Sequence, residues 1–311
     1  MANKDNKALK YVKILFPYVF DWAVIYAIWK IKEYMYNHSK VFERQFSIFD
    51  ETISHPGKPD TLPWADLLHY TLISCVIIIV VVQLVKRNFT YGLNQAILGL
   101  WFSYLVTNLF SDYIKDYAGR YRPDFLYYCD VDFQKVEQQY QYYRNITGGL
   151  DLEEYGPRKL FNTTICRGDP SKIASEQKSF PSGHTSFAFT TMIYLTLYLA
   201  GQLRIYDGQA RGWKYFICCL PIFFAFYVPF SRLMDYRHHW QDCLAGAIIG
   251  TVFAVIFYYL FYPSLRDPNC DKPIRRPCNF FNKQKKEKKE KIDEIEEDDE
   301  VPKESKPEEI V

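Results

Sequence analysis

Three short segments of this chain hold the residue types that phosphate chemistry needs. The first is Lys115-Asp-Tyr-Ala-Gly-Arg120-Tyr-Arg122-Pro123, the second Ser179-Phe-Pro181-Ser182-Gly183-His184, and the third Ser231-Arg232-Leu-Met-Asp-Tyr-Arg237-His238-His239-Trp-Gln-Asp242. Lys115, Arg122 and Arg232 are ammonium and guanidinium groups able to clamp phosphoryl oxygens. Pro181 and Gly183 predict a helix start, where the N–H groups of Ser182, Gly183 and His184 would face an anion. His238 and Asp242 are four apart, a spacing that predicts one helical face. A carboxylate on one imidazole nitrogen leaves the other free to attack, and a second histidine, His184, can give its proton to a leaving oxygen. His239 would point about 100° away from His238 on such a helix, which predicts a structural role. Arg120 and Arg237 read as contacts to lipid headgroups. Together the segments form an inventory for phosphoryl transfer without a cofactor: no carboxylate cluster suits magnesium, and no Cys/His spacing suits zinc.

Those segments need a frame, and the apolar runs supply one. About 20 mostly apolar residues are required to cross a bilayer, and six runs qualify: 12–31, 67–85, 92–111, 184–203, 214–231 and 242–262. The expected fold is all-α, a polytopic membrane protein with six transmembrane helices and its chemistry at the helix ends on one face. The expected organisation is a short N-terminus at 1–11, a membrane domain at 12–262 with an active-site loop at 112–183, and a disordered charged tail at 263–311, where KKEKKEKIDEIEEDDEVPKESKPEE has too few apolar residues to repay ordering.

Orientation follows from the basic residues of the short loops. The N-terminal lysines, Lys86 and Arg87, the Arg204 to Lys214 turn and the residues after 262 all fall on one side, which predicts cytosolic termini and an active site facing the lumen or exterior. The sequons at Asn145 and Asn162 lie on the translocated side and are candidate glycosylation sites. Cys129 and Cys166 are the only cysteines of the translocated loop, so a disulfide between them is expected. Cys75, Cys218, Cys219 and Cys243 read as buried helix residues, and Cys270 and Cys278 as juxtamembrane thiols open to acylation. A formal net charge of +2 with no basic groove among the aromatics excludes a nucleic-acid partner.

The three segments fit K-x6-R-P, P-S-G-H and S-R-x5-H-x3-D in that order, and by them the chain resembles the type 2 phosphatidic acid phosphatases, also called lipid phosphate phosphatases. Phe46-Ser-Ile-Phe-Asp50-Glu-Thr-Ile53 and Arg122-Pro-Asp-Phe125 strengthen the likeness, nearest to fungal diacylglycerol pyrophosphate phosphatases and plant lipid phosphate phosphatases. The resemblance covers roughly residues 11–262. It implies metal-independent hydrolysis of lipid phosphate monoesters or pyrophosphates in the endomembrane system or plasma membrane. It also implies that His238 forms a phosphohistidine, Asp242 orients it, His184 serves as acid and then base, and Lys115, Arg122, Arg232, Ser182 and Gly183 bind phosphate. Two alternatives are a phosphatase or phosphotransferase for another membrane phosphate ester on the same fold, and a catalytically silent lipid-binding protein. The sequence carries no signal for or against a homo-oligomer.

Overall fold

The computed structural model describes residues 2–87, 91–146 and 160–274. The chain divides into two units: one takes in residues up to Val19 and from Arg275 onward, the other Phe20–Ile274. Of the first unit the described part is the beginning of α1 (Ala2–His38), a helix that contains Pro17. Everything below concerns the second.

Each of the six apolar runs falls, to within a residue or two, in a long helix. After α1 come α2 (Trp64–Leu68) and α3 (Ser74–Val85), joined through a π-helical turn into one rod, then α4 (Tyr91–Ala118). Three shorter helices follow, α5 (Phe125–Cys129), α6 (Phe133–Ile146) and α7 (Pro170–Glu176). The chain then returns through α8 (Gly183–Gln202), α9 (Gly212–Met234) and α10 (Trp240–Phe261). Among the described residues, Trp64–Val85, Gly212–Met234 and Trp240–Phe261 are long and apolar enough to cross a membrane. Their outward faces support that reading: Leu244, Ile248, Val252 and Ile256 recur every four residues along α10, and all are exposed. Such a stripe would be a liability in water but matches hydrocarbon. The chain is therefore a helical integral membrane protein.

α8 is the less apolar helix at the centre, packed against α4, α9 and α10. Small and hydroxylated residues suit that place, because they let backbones approach and hydrogen-bond across the contact. Thr190 donates to the Thr107 hydroxyl at 3.0 Å, and Ser111 to that of Ser186 at 3.2 Å. Opposite them on α10, a Cβ added to Gly250 would lie 2.4 Å from the Ser186 carbonyl oxygen, so only glycine fits.

The segment expected as an active-site loop is a folded cap. Phe46 and Ile53 from the first connection pack with Tyr121, Phe125, Phe161, Ile165 and Ile173 into a second small core. Two short strands, β1 (Phe46–Ser47) and β2 (Leu160–Phe161), pair antiparallel, a departure from a purely helical fold. A disulfide joins Cys129 to Cys166. α4 also runs past 111 to Ala118, which places Lys115 on its last turn.

The expected tail boundary needs correction. Residues 263–274 belong to the body: Ile274 donates its N–H to the Phe261 carbonyl at 2.9 Å, and Asp271 bridges Lys86 at 3.3 Å and Arg204 at 2.8 Å. Cys270 is buried there, with its thiol directed to the Gly201 carbonyl, so it is closed to acylation. Cys219, expected inside, is exposed on α9. Cys278 and the charged run after it lie outside the described residues.

Gly250→Ala tests the helix contact. Alanine gains about 1 kcal/mol of helix propensity, but the fixed Ser186 carbonyl leaves no room, and overpacking costs about 1–3 kcal/mol. The expected outcome is a lower melting temperature in detergent, measured by intrinsic fluorescence.

Candidate active site

The predicted chemistry converges at one end of the bundle. Lys115 on α4, Arg122 in the turn after it, Gly183 and His184 at the start of α8, and His238 between α9 and α10 line one cavity of about 450 Å³. Trp29 and Lys32 of α1, Trp64 of α2 and Lys178 complete much of its wall. Lys115 lies close against Gly183, where an added Cβ would be 2.7 Å from Lys115 Nζ.

His238 is almost wholly buried, and its Nδ1 lies 2.8 Å from the Ser179 carbonyl oxygen. A carbonyl only accepts, so Nδ1 carries the hydrogen and Nε2 keeps its lone pair. Burial, then the positive charges of Arg122, His184 and Lys115, hold the His238 imidazolium well below the usual histidine range. The ring is neutral at physiological pH, a form in which an imidazole can act as a nucleophile. His184 is the second imidazole of the cavity. It meets Trp64 edge-on with centroids 5.3 Å apart, and its buried Nε2 has no hydrogen-bond partner among the described residues.

Asp242 is placed differently from the i,i+4 expectation. α10 begins at Trp240 with His239 as its N-cap, so His238 stands before the helix and shares no helical face with Asp242. Their closest atoms, His238 Nδ1 and Asp242 Oδ2, are 3.9 Å apart, too far for a hydrogen bond. Ser179 fills the gap, with its hydroxyl donating to Asp242 Oδ2 at 2.6 Å while its carbonyl holds His238. His239 is not turned away from the carboxylate. Its N–H donates to Asp242 Oδ2 at 3.0 Å, its Nδ1 is 3.3 Å from that oxygen, and its Nε2 reaches the Thr52 carbonyl at 3.2 Å. Arg120, expected at headgroups, instead makes a 2.7 Å ion pair with Asp242 Oδ1.

The cations divide by how far they are already engaged. Arg232 does not line the cavity: it is 1% exposed, and its guanidinium donates to Asp60 and Asp235 at 3.0 Å each. Arg237 is likewise no headgroup contact, because Asp124 at 2.8 Å and Glu176 at 3.2 Å enclose it. Burial, then the neighbouring Glu176, push the Asp124 carboxyl up to about 6. Arg122 is freer. Its Nε has no partner among the described residues, and its nearest carboxylate oxygen, on Glu176, is 3.5 Å away. Among the described residues Lys115 pairs with Asp112, at 3.0 Å.

Ser182 caps α8 from behind the cavity wall, and its N–H is not free, since it donates to the Asp242 carbonyl at 3.0 Å. First-turn N–H groups lack intrahelical partners, which leaves those of Gly183 and His184 as the donors on offer. Asn145 is exposed on α6, whereas Asn162 is half-buried at the start of a 3₁₀ turn. The sequence reading missed Ser179, Asp60, Glu176, Lys32 and Lys178. Ser179 opens the second motif and could have been singled out there. Glu176 and Lys178 lie just before that motif but outside its pattern, and Asp60 and Lys32 are far in sequence from any motif.

Ser179→Ala keeps the carbonyl and removes the hydroxyl link to Asp242. It is expected to lower kcat about tenfold with KM little changed, since orientation of His238 and not binding is lost. In the parent protein, kcat/KM should show no loss of a neutral imidazole between pH 7.5 and about 6, because a depressed histidine protonates only at lower pH. A pH profile in which activity falls with an apparent pKa at the ordinary histidine value would contradict the assignment.

Comparison with known proteins identifies the family. Residues 96–266 match the family model described as the PAP2 superfamily. Lipid phosphate phosphatase 2 of Arabidopsis thaliana is 37% identical over 218 residues, covering 70% of this chain and 68% of that protein. Probable diacylglycerol pyrophosphate phosphatase 1 of Schizosaccharomyces pombe is 32% identical over 84% of this chain and 88% of its own length. Diacylglycerol pyrophosphate phosphatase 1 of Saccharomyces cerevisiae is 31% identical, with 76% of this chain and 77% of that protein covered. No solved structure matches. With a family model over more than half its length, and with relatives above 30% identity over two thirds or more of both chains, the chain belongs to the PAP2 superfamily.

Proposed function

We propose that this protein hydrolyses lipid phosphates through a phosphohistidine formed on His238. The observation that carries the proposal is the pair of imidazoles on one cavity, His238 with Nδ1 bonded to a carbonyl and His184 with Nε2 unpartnered among the described residues, beside the cations Arg122 and Lys115. The lipid phosphate and diacylglycerol pyrophosphate phosphatases among the relatives support the same reaction class.

In the first step Nε2 of His238 attacks phosphorus, and the bond to the leaving oxygen breaks. The anionic headgroup, once bound among these cations, favours the imidazolium form of His184, which then supplies the proton that the oxygen takes. In the second step His184, now neutral, removes a proton from water, whose oxygen attacks phosphorus and frees His238 with release of phosphate. Lys115, Arg122 and the first-turn amides of α8 stabilise the charge on the equatorial oxygens. Arg232 acts from behind, as the anchor that ties α9 to Asp60 in the first connection. Asp242 positions His238 by way of Ser179 and holds its own place through Arg120 and His239.

His238→Ala is expected to abolish turnover, and a rapid acid-free quench with labelled substrate should trap base-stable phosphate on the parent protein and none on the variant. His239→Ala removes a helix cap and one ligand of Asp242. It should cost about 0.5–2 kcal/mol of stability and leave measurable turnover. Equal losses from the two substitutions would misplace the nucleophile. Phosphate release should persist in chelator, because side-chain cations and not a metal offset the phosphoryl charge.

The proposed topology has six spans with both termini cytosolic, supported by the side on which Lys86, Arg87, Arg204 and Arg211 fall. The site then works on the luminal or exterior leaflet. In sealed vesicles, added protease should remove a tag on the C-terminus, and an endoglycosidase-sensitive glycan should be found on the cap, at the exposed Asn145. A protected tag with an unglycosylated cap would invert the arrangement.

A further inference from the structure

Arg237 precedes His238 in the chain but does not line the cavity. One of its terminal nitrogens, Nη1, meets two carboxylates, Asp124 at 2.8 Å and Glu176 at 3.2 Å, and its Nε lies 3.4 Å from Asp60. Asp124 and Glu176 have no exposed side-chain surface. The mechanism above gives this buried cluster no task.

Within it, one oxygen is contested. Besides Arg237, Glu176 Oε1 faces Arg122 Nη1 and Lys172 Nζ, each at 3.5 Å. A strong charge-assisted hydrogen bond between nitrogen and oxygen spans about 2.7–2.9 Å, so of the three cations Arg237 comes nearest to making one. Arg122 cannot avoid this carboxylate by standing elsewhere, because its N–H donates to the Glu176 carbonyl at 3.0 Å and fixes the two main chains side by side. Its guanidinium nevertheless borders the cavity, with Nε unpartnered among the described residues. Lys172 is a weak rival, since its side chain is 38% exposed and water screens its charge. Were Arg237 absent, two buried carboxylates would lose the cation they share, a strongly unfavourable state. Arg122, tethered within 3.5 Å of Glu176, is the charge placed to relieve it, and in doing so it would withdraw from the phosphate.

We propose that Arg237 is a positioning residue for phosphate binding: by occupying Asp124 and Glu176 it keeps Arg122 free to hold the phosphoryl group. Glu176 then competes with the substrate for Arg122, and Arg237 suppresses that competition. The proposal rests on the hydrolase reading above for the task of Arg122. It concerns the binding of an oxyanion, however, so it can be measured without turnover.

The test is calorimetric titration of the purified full-length protein, in detergent micelles at pH 8, with orthovanadate. Arg237→Met is expected to weaken binding at least tenfold. Adding Glu176→Gln to that variant removes the competing charge and should recover at least threefold of the loss, a coupling that only interacting residues show. An arginine that merely braced the fold would not be relieved in this way, because a glutamine restores none of its contacts. Should Arg237→Met not accumulate, Glu176→Gln decides alone: binding within threefold of the parent's or tighter upholds the competition, and binding more than threefold weaker makes Glu176 a support of Arg122 and overturns it. A loss below tenfold in Arg237→Met, or a double variant that recovers less than threefold, would also overturn the positioning role. A parent protein that binds vanadate yet releases phosphate from neither phosphatidate nor diacylglycerol pyrophosphate would overturn the hydrolase reading alone. One that binds no vanadate would overturn both.

Discussion

The buried carboxylate of Asp242 is the point on which the site depends. It has no exposed surface, so its charge must be met by protein donors or the group would not remain ionised there. Arg120 reaches it from the turn after α4, Ser179 from the strand of chain before α8, and His239 from its own helix cap. Its backbone carbonyl also accepts the Ser182 N–H. One residue thus fixes the relative positions of all three sequence motifs, and His238 is held by the residue that the carboxylate holds. Removing one partner would leave a charge buried and uncompensated, a far greater cost than a surface ion pair carries.

Around this point the charges alternate. Asp60 and Asp235 surround Arg232, while Asp124 and Glu176 surround Arg237. These fully engaged arginines make a rigid backing, and the less engaged Arg122 and Lys115 are left in front of it. Division of labour among chemically identical side chains comes from their partners. The second core of the cap, with its disulfide and paired strands, keeps the acidic partners in place.

Much of this was legible in the sequence because it is local. The apolar runs mark the helices through length alone, and each motif marks a helix end because Pro, Gly and the charged residues cannot sit comfortably in a bilayer interior. What was illegible depends on tertiary proximity. The spacing of His238 and Asp242 suggested a shared helical face, but Asp242 instead caps the backbone of His239, and α10 starts at Trp240, two residues after His238. Arg232 was legible as a cation near the site, but its pairing with Asp60, distant in sequence, was not. Residues 263–274 looked like tail because they are polar, yet Asp271 earns its order from two basic turns that no linear window contains.

The outward apolar stripe of α10 also sets the dimensionality in which this protein meets its reactants. A body solvated by hydrocarbon along Leu244, Ile248, Val252 and Ile256 stays in the same sheet of lipid as the molecules it acts on. Encounter is then lateral, and the concentration that governs saturation is a mole fraction in the membrane plane, not moles per litre of water. Diluting substrate with inert lipid slows such an enzyme even when the bulk amount is unchanged, whereas diluting the whole suspension with buffer does not.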